Sequence, residues 1–127
     1  MKKKILFTFE TISPLPFPQK TNSIGSIVEF HGVVRDEESQ QTITHLDYEA
    51  YQDMAHHQIH KILDQLKLDY PCRSFEFVHR LGKIPVGESS VWIRITSKHR
   101  KEGFGLLTEF CNRLKQDVPI WKSAPNL

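Results

Sequence analysis

Two lysines bracket a break in this chain. Lys115 ends a predicted helix, and Lys122 follows seven positions later, beyond the apolar, proline-stiffened segment Val118-Pro119-Ile120-Trp121. Proline fixes its own φ and biases the residue before it toward extended backbone. The helix should therefore stop near Asp117, and the segment after it should run as a strand or rigid arm. Ammonium groups on either side of such a break can converge on one anionic ligand. His99 and Arg100 lie just upstream, and Arg35 ends an earlier predicted strand. Arginine offers bidentate contacts to phosphate or carboxylate, and lysine a point charge. Crowded cations also favour the neutral amine of a lysine, which can then act as nucleophile or base. For any one of these residues ordinary surface charge is the commoner reading. The set of five weakens it, because around the last four of them the acids near in sequence are only Glu102, Glu109 and Asp117.

Other chemistry-bearing residues carry less. His56 and His60 stand one helical turn apart, a chelating spacing, but position 57 is His rather than the Glu of a zinc-protease motif and no third ligand is apparent. Solvent-facing histidines are expected, with no metal. Cys72 and Cys111 lack a Cys-x-x-Cys partner, and Cys111 falls on the apolar face of the last predicted helix, where an inert thiol is expected. Gly82, Gly87, Gly103 and Gly105 do not form a phosphate-binding loop. His79-Arg80, like His99-Arg100, ends a predicted strand, and strand ends in a layered fold often gather at one rim.

The elements that must position these groups read as follows. Ile5 to Glu10 is a short strand behind a solvated lysine tail, and Ser13 to Ser23, with Pro14, Pro16 and Pro18, is a connector. Gly25 to Arg35 is β-branched and aromatic, a strand; Asp36 to Gln41 is polar loop; Thr42 to Tyr51 alternates as a half-buried strand able to pair with the previous one. Ala55, Ile59, Ile62, Leu63 and Leu66 recur at helical spacing, so Asp53 to about Leu68 is a helix with Asp53 as N-cap and Pro71 beyond its end. Ser74 to Arg80 and Ser90 to Ser97 are strands around a turn-rich Leu81 to Glu88. A final helix from about Lys101 to Lys115 buries Phe104, Leu107, Phe110, Cys111 and Leu114. The order predicts an α+β fold of split βαβ, ferredoxin-like or related layout.

Composition sets the outer bounds. A chain of 127 residues, 39% hydrophobic and 25% charged, suits one globular domain over 1–127. A net charge of +2 argues against a protein that coats nucleic acid. Two cysteines suit a reducing cytoplasm, and no stretch approaches the roughly 20 apolar residues of a membrane span. The Met1-Lys2-Lys3-Lys4 opening resembles a signal peptide, but its apolar run stops at Glu10.

Five segments, in order over residues 24 to 122, resemble the large, catalytic subunit of molybdopterin synthase. They are Phe30-His31-Gly32-Val33-Val34-Arg35; Leu46-Asp47-Tyr48-Glu49-Ala50-Tyr51 with Met54-Ala55; Val78-His79-Arg80-Leu81-Gly82 with Val86-Gly87-Glu88; Ser97-Lys98-His99-Arg100; and Leu114-Lys115 through Val118-Pro119-Ile120-Trp121-Lys122. The resemblance implies an α/β hammerhead fold with an additional antiparallel β subdomain, two main helices lying on a mixed or antiparallel sheet. It implies a sulfurtransferase that converts cyclic pyranopterin monophosphate (precursor Z) to molybdopterin. Two sulfurs come from the C-terminal glycine thiocarboxylate of a small ubiquitin-like subunit, with no further cofactor. By the same resemblance Lys115 and Lys122 are catalytic, Arg35, His99 and Arg100 bind the anionic substrate, and Phe30 lies beside the entering tail. A homodimer within a heterotetramer is implied, with His99 and Arg100 serving the other subunit's lysines. The pattern departs after Trp121-Lys122, where Ser123-Ala124-Pro125-Asn126-Leu127 replaces a basic residue, an acid and a tail bearing a further tryptophan. An altered closure of the pocket is expected there.

Two other classes compete. One is a non-catalytic module that binds a ubiquitin-like partner or an anionic metabolite. The other is an RNA-binding α+β domain, which would show aromatics interleaved with cations on a sheet face, and Trp92 with Arg94 is its only hint.

Overall fold

Strand β6 (Ser74–Arg80) and strand β8 (Ser89–Ser97) form the antiparallel centre of a four-stranded sheet ordered β1-β6-β8-β2. The computed structural model describes residues 1–17 and 21–125; Pro18 of the proline connector and Asn126-Leu127 of the tail lie outside the described residues. β1 (Lys2–Thr8) lies parallel to β6, and β2 (Ser26–Val33) antiparallel to β8. The opening lysines are thus not a solvated tail. Lys2, Lys3 and Lys4 pair with Ser74, Phe75 and Glu76, and Lys3 reaches Asp64 of the first helix.

β2 and β6 point the same way with β8 running back between them, the split βαβ arrangement expected from the sequence. Helices α1 (Gln52–Leu66) and α2 (Arg100–Asp117) supply the apolar stripes that close the core. Ala55, Ile59, Ile62 and Leu63 of α1 and Leu106 and Phe110 of α2 are buried against Phe75, Phe77, Ile93 and Ile95. The rings of Phe75, Phe77 and Phe110 meet at centroid distances of 4.7 and 5.7 Å about Phe110. Burying each such ring contributes about 1.5–3 kcal/mol.

A second, three-stranded antiparallel sheet has the order β7-β5-β9, from Gly82–Pro85, His45–Ala50 and Ile120–Ser123. Its small core is Val34, Ile43, Leu46 and Ile84, with Tyr48 and Ala124 against it. A two-rung hairpin of β3 (Glu37–Glu38) and β4 (Gln41–Thr42) lies between β2 and β5. The molecule is therefore α+β, two helices on a mixed sheet with a separate antiparallel subdomain.

Several local expectations are corrected. β5 does not pair with β2; β2 gives its ladder to β8, and β5 takes β7 and β9. The turn-rich stretch carries β7, because Gly82 at φ 82° and Gly87 at φ 90° supply the bends that let Lys83 to Pro85 extend between them. The polar loop carries β3 and β4. Asp53 is not the N-cap: Tyr51 holds that position without a side-chain cap, and Asp53 sits in the first turn. Phe104 is exposed, and Leu106 takes the core position instead, because α2 turns Gly103 toward β2 and β8. Trp92 is fully buried and offers no stacking platform, while the buried Arg94 is held by Glu76, Glu29 and the carbonyls of Leu15 and Pro16. The feature that suggested RNA binding is a clasp fastening the proline connector to the sheet. Among the described residues no helix is long and apolar enough to cross a membrane.

Candidate functional site

Strand direction decides which cations can meet. β2 and β6 end at one rim, so Arg35 and Arg80 lie there, whereas the antiparallel β8 delivers His99 and Arg100 to the opposite rim. Of the three strand ends expected at one rim, those bearing Arg35 and Arg80 gather there and the one bearing His99 and Arg100 does not. α2 then runs back across the sheet and brings Lys115, in its last turn, to the rim of Arg35. Arg100 and Lys115 are fifteen residues apart on one helix, roughly 22 Å at 1.5 Å per residue. One bound phosphate cannot touch both within a single chain.

At the first rim a cavity of about 260 Å³ opens between the two sheets. β2 and the segment after it contribute Phe30 and Arg35, α2 contributes Cys111, Leu114 and Lys115, and the subdomain contributes Tyr48 and Lys122. The helix stops as the sequence predicts. Val118 is already extended at φ −100°, ψ 131°, and Pro119 leads into β9. β9 pairs with β5 in a register that sets Lys122 opposite Tyr48. Of the five cations expected together, Arg35, Lys115 and Lys122 converge, with Phe30 at the wall; His99 and Arg100 do not.

Those two line a second, open recess of about 550 Å³ at the start of α2, beside Gly25, Ser26, Lys98 and Phe104. It is larger than the lysine cavity, but it holds neither Lys115 nor Lys122. Ser97 Oγ donates to the His99 carbonyl at 2.6 Å and so shapes the turn into the helix. His79 is buried instead among Phe7, Tyr48 and Phe77, and Arg80 pairs with Glu88 at 2.7 Å, so neither faces the lysine cavity.

Glu38, three residues after Arg35, is not among the site residues expected from the sequence. Its Oε1 lies 2.9 Å from Lys122 Nζ, so the lysines are not an unrelieved cluster of cations. The acid comes from the polar stretch read as loop, and no local spacing connects it to Lys122. Asp117, one of the acids near in sequence, is occupied with Arg113 at 2.7 Å. Cys111 had a usable signal, its i, i+4 spacing to Lys115, which puts both on one helix face. Burial pushes its thiol up while Lys115 pulls it down, and Cys72 is pushed up to about 11 by burial and Glu102. Both are poor nucleophiles at neutral pH. His56 packs edge-on against Phe7 at 5.3 Å, and no metal-holding group of three ligating side chains occurs among the described residues.

An arginine and two lysines share one cavity at the junction of an α+β sheet and an antiparallel subdomain, a cationic site whose charge suits an anion. Residues 8–117 match the family model described as MoaE protein. The chain is 35% identical over 117 residues to the molybdopterin synthase catalytic subunit of Thermoplasma volcanium, covering 91% of this chain and 85% of that one. It is 37% identical over 123 residues to the Bos taurus subunit of the same description, covering 95% of this chain and 65% of the bovine one. Molybdopterin synthase from Staphylococcus aureus superposes with a TM-score of 0.80 at 28% identity, covering 93% and 88% of the two chains. A complex of subunits 1 and 2 of molybdopterin-converting factor from Helicobacter pylori contains a chain with TM-score 0.68 at 27% identity, covering 80% and 66%. The chain belongs to the MoaE family.

Proposed function

We propose that this chain is the catalytic subunit of a molybdopterin synthase, a sulfurtransferase of molybdenum cofactor biosynthesis acting in the cytoplasm. It converts cyclic pyranopterin monophosphate to molybdopterin with sulfur from the thiocarboxylated C-terminus of a small ubiquitin-like subunit. The observation that carries this reading is the convergence of Arg35, Lys115 and Lys122 on one cavity. Both the cyclic phosphate and the thiocarboxylate tail are anions, and neither poorly reactive cysteine is needed, because the partner brings the sulfur. Phe30, 37% exposed at the cavity wall, gives an incoming tail an apolar surface. Lys115 serves the thiocarboxylate, Lys122 is the second catalytic lysine, and Arg35 holds the anionic substrate.

The separation of His99 and Arg100 from the lysines supports a dimeric site. Two chains arranged so that the α2 start of one faces the α2 end of the other would complete each cavity with a second phosphate-binding pair. Each dimer would take two small subunits, giving a heterotetramer.

Single turnover tests the proposal. Protein, cyclic pyranopterin monophosphate and thiocarboxylated small subunit are mixed, and molybdopterin is read as its fluorescent oxidised derivative. The wild type should form product and Lys115→Ala none. Bound small subunit without product from the wild type would instead identify a non-catalytic binding module.

A further inference from the structure

Resting on the synthase reading above, we propose that Glu38 is a positioning residue that divides the work between the two lysines. The cavity carries three cations but a single carboxylate among its lining residues, and that carboxylate is on Lys122. Glu38 Oε1 stands 2.9 Å from Lys122 Nζ, with the Glu38 side chain only 21% exposed. Among the described residues, Lys115 has neither an ion pair nor a hydrogen bond from its side chain. The ion pair fixes where the Lys122 Nζ sits. Lys122 is thereby assigned the part of a fixed cation, and Lys115 is left as the lysine whose Nζ is free to meet the thiocarboxylate.

The element carrying Glu38 is built to hold it there. β3 and β4 share only two rungs, Glu37 with Thr42 and Glu38 with Gln41. The turn between them places Ser39 at φ 51° and Gln40 at φ 64°, left-handed conformations that residues with side chains adopt when their surroundings hold them. Two anchors lie at the hairpin base: the Ile43 amide donates to the Asp36 carbonyl at 2.9 Å, and Ile43 itself is buried in the subdomain core. Arg35 and Glu38 thus leave one short segment and enter one cavity with opposite charge.

The cost of this arrangement is specific. A carboxylate in the cavity opposes an anionic ligand while it orders the lysine that must receive it. Removing its charge should therefore tighten ground-state binding and slow turnover together, a split that a folding defect does not produce.

The test uses Glu38→Gln and Glu38→Asp in the complete assembly with the small subunit. Glu38→Gln should lower KM for the cyclic phosphate about threefold, the scale of one partly exposed ion pair. It should lower kcat about tenfold, the scale of a misplaced catalytic group. Glu38→Asp should recover part of kcat. An unchanged kcat, or a KM that rises, overturns the proposal. Calorimetric titration with inorganic phosphate judges it independently of turnover. Glu38→Gln should bind phosphate about threefold more tightly than the wild type, with the gain abolished by Lys122→Ala. Equal or weaker affinity in Glu38→Gln overturns the inference, whereas failure of the wild type to make molybdopterin overturns only the synthase reading.

Discussion

Tyr48 and Lys122 face each other directly across the β5–β9 ladder, and both side chains line the cavity. Side chains alternate between faces along a strand, so this register alone decides whether Lys122 points at the ligand or away from it. Inserting one alanine between Trp121 and Lys122 should turn the lysine to the other face. Molybdopterin formation should then fall about a hundredfold, the scale of losing one preorganised charged donor. Thermal denaturation should move by only a few degrees, because the core strands are untouched. Full activity in the insertion variant would show that the register does not position the lysine.

Acid should weaken the fold through His79. Burial pushes its pKa down to about 4 from the ordinary 6.5, against the smaller opposing pull of the Arg80 carbonyl. Between those values the unfolded chain binds more protons than the folded one. The contribution of neutral His79 is complete above about pH 6.5 and is lost as pH falls toward 4, with a slope of at most about 1.4 kcal/mol per pH unit. Urea denaturation at pH 7.5, 6 and 5 should trace this loss, and His79→Leu should flatten it. An equally steep profile in His79→Leu would assign the loss to other groups.

Arg94 should be among the costliest single positions in the sheet. Its guanidinium is 2% exposed and donates to Glu76 at 2.9 Å, to Glu29 at 3.4 Å and to the Pro16 carbonyl at 2.7 Å. Arg94→Leu leaves two carboxylates facing an apolar side chain and unclasps the proline connector. A loss of about 3 kcal/mol is expected in urea titration, at the lower end for breaking a buried pair because Glu29 remains partly exposed. Protease cleavage near residues 9–17 should quicken in the same variant.

Gly105 lets α2 pass the Tyr70 ring, and a Cβ there would run into that ring. Alanine normally favours a helix over glycine by about 1 kcal/mol, but overpacking costs about 1–3 kcal/mol, so Gly105→Ala should be destabilising. In a Tyr70→Ala background the clash is gone, and the same substitution should stabilise by about 1 kcal/mol. The change of sign, read by chemical denaturation, separates packing from propensity.

Much of the framework was legible in the residues. The alternating segment Ser74 to Arg80 coincides with β6 to the residue, and Ser90 to Ser97 lacks only Ser89, the first residue of β8. The α2 stripe and the break at Pro119 followed from local sterics and periodicity, which act over a few neighbours. Phe104 misled because the close approach of α2 to the sheet through Gly103 rotates the buried face, a fact that helical spacing does not contain.

The sequence by itself determined which residues carry charge, where helix gives way to strand, and, through the five matching segments, the family. Tertiary structure decided the rest. An alternating strand shows that one face is buried without showing against what, so β5's choice of β7 and β9 over β2 was settled only by packing. The same non-local choice brought Glu38 to Lys122. The antiparallel run of β8 sent His99 and Arg100 to the far rim, for the direction of a ladder is a property of two strands together and is written in neither alone.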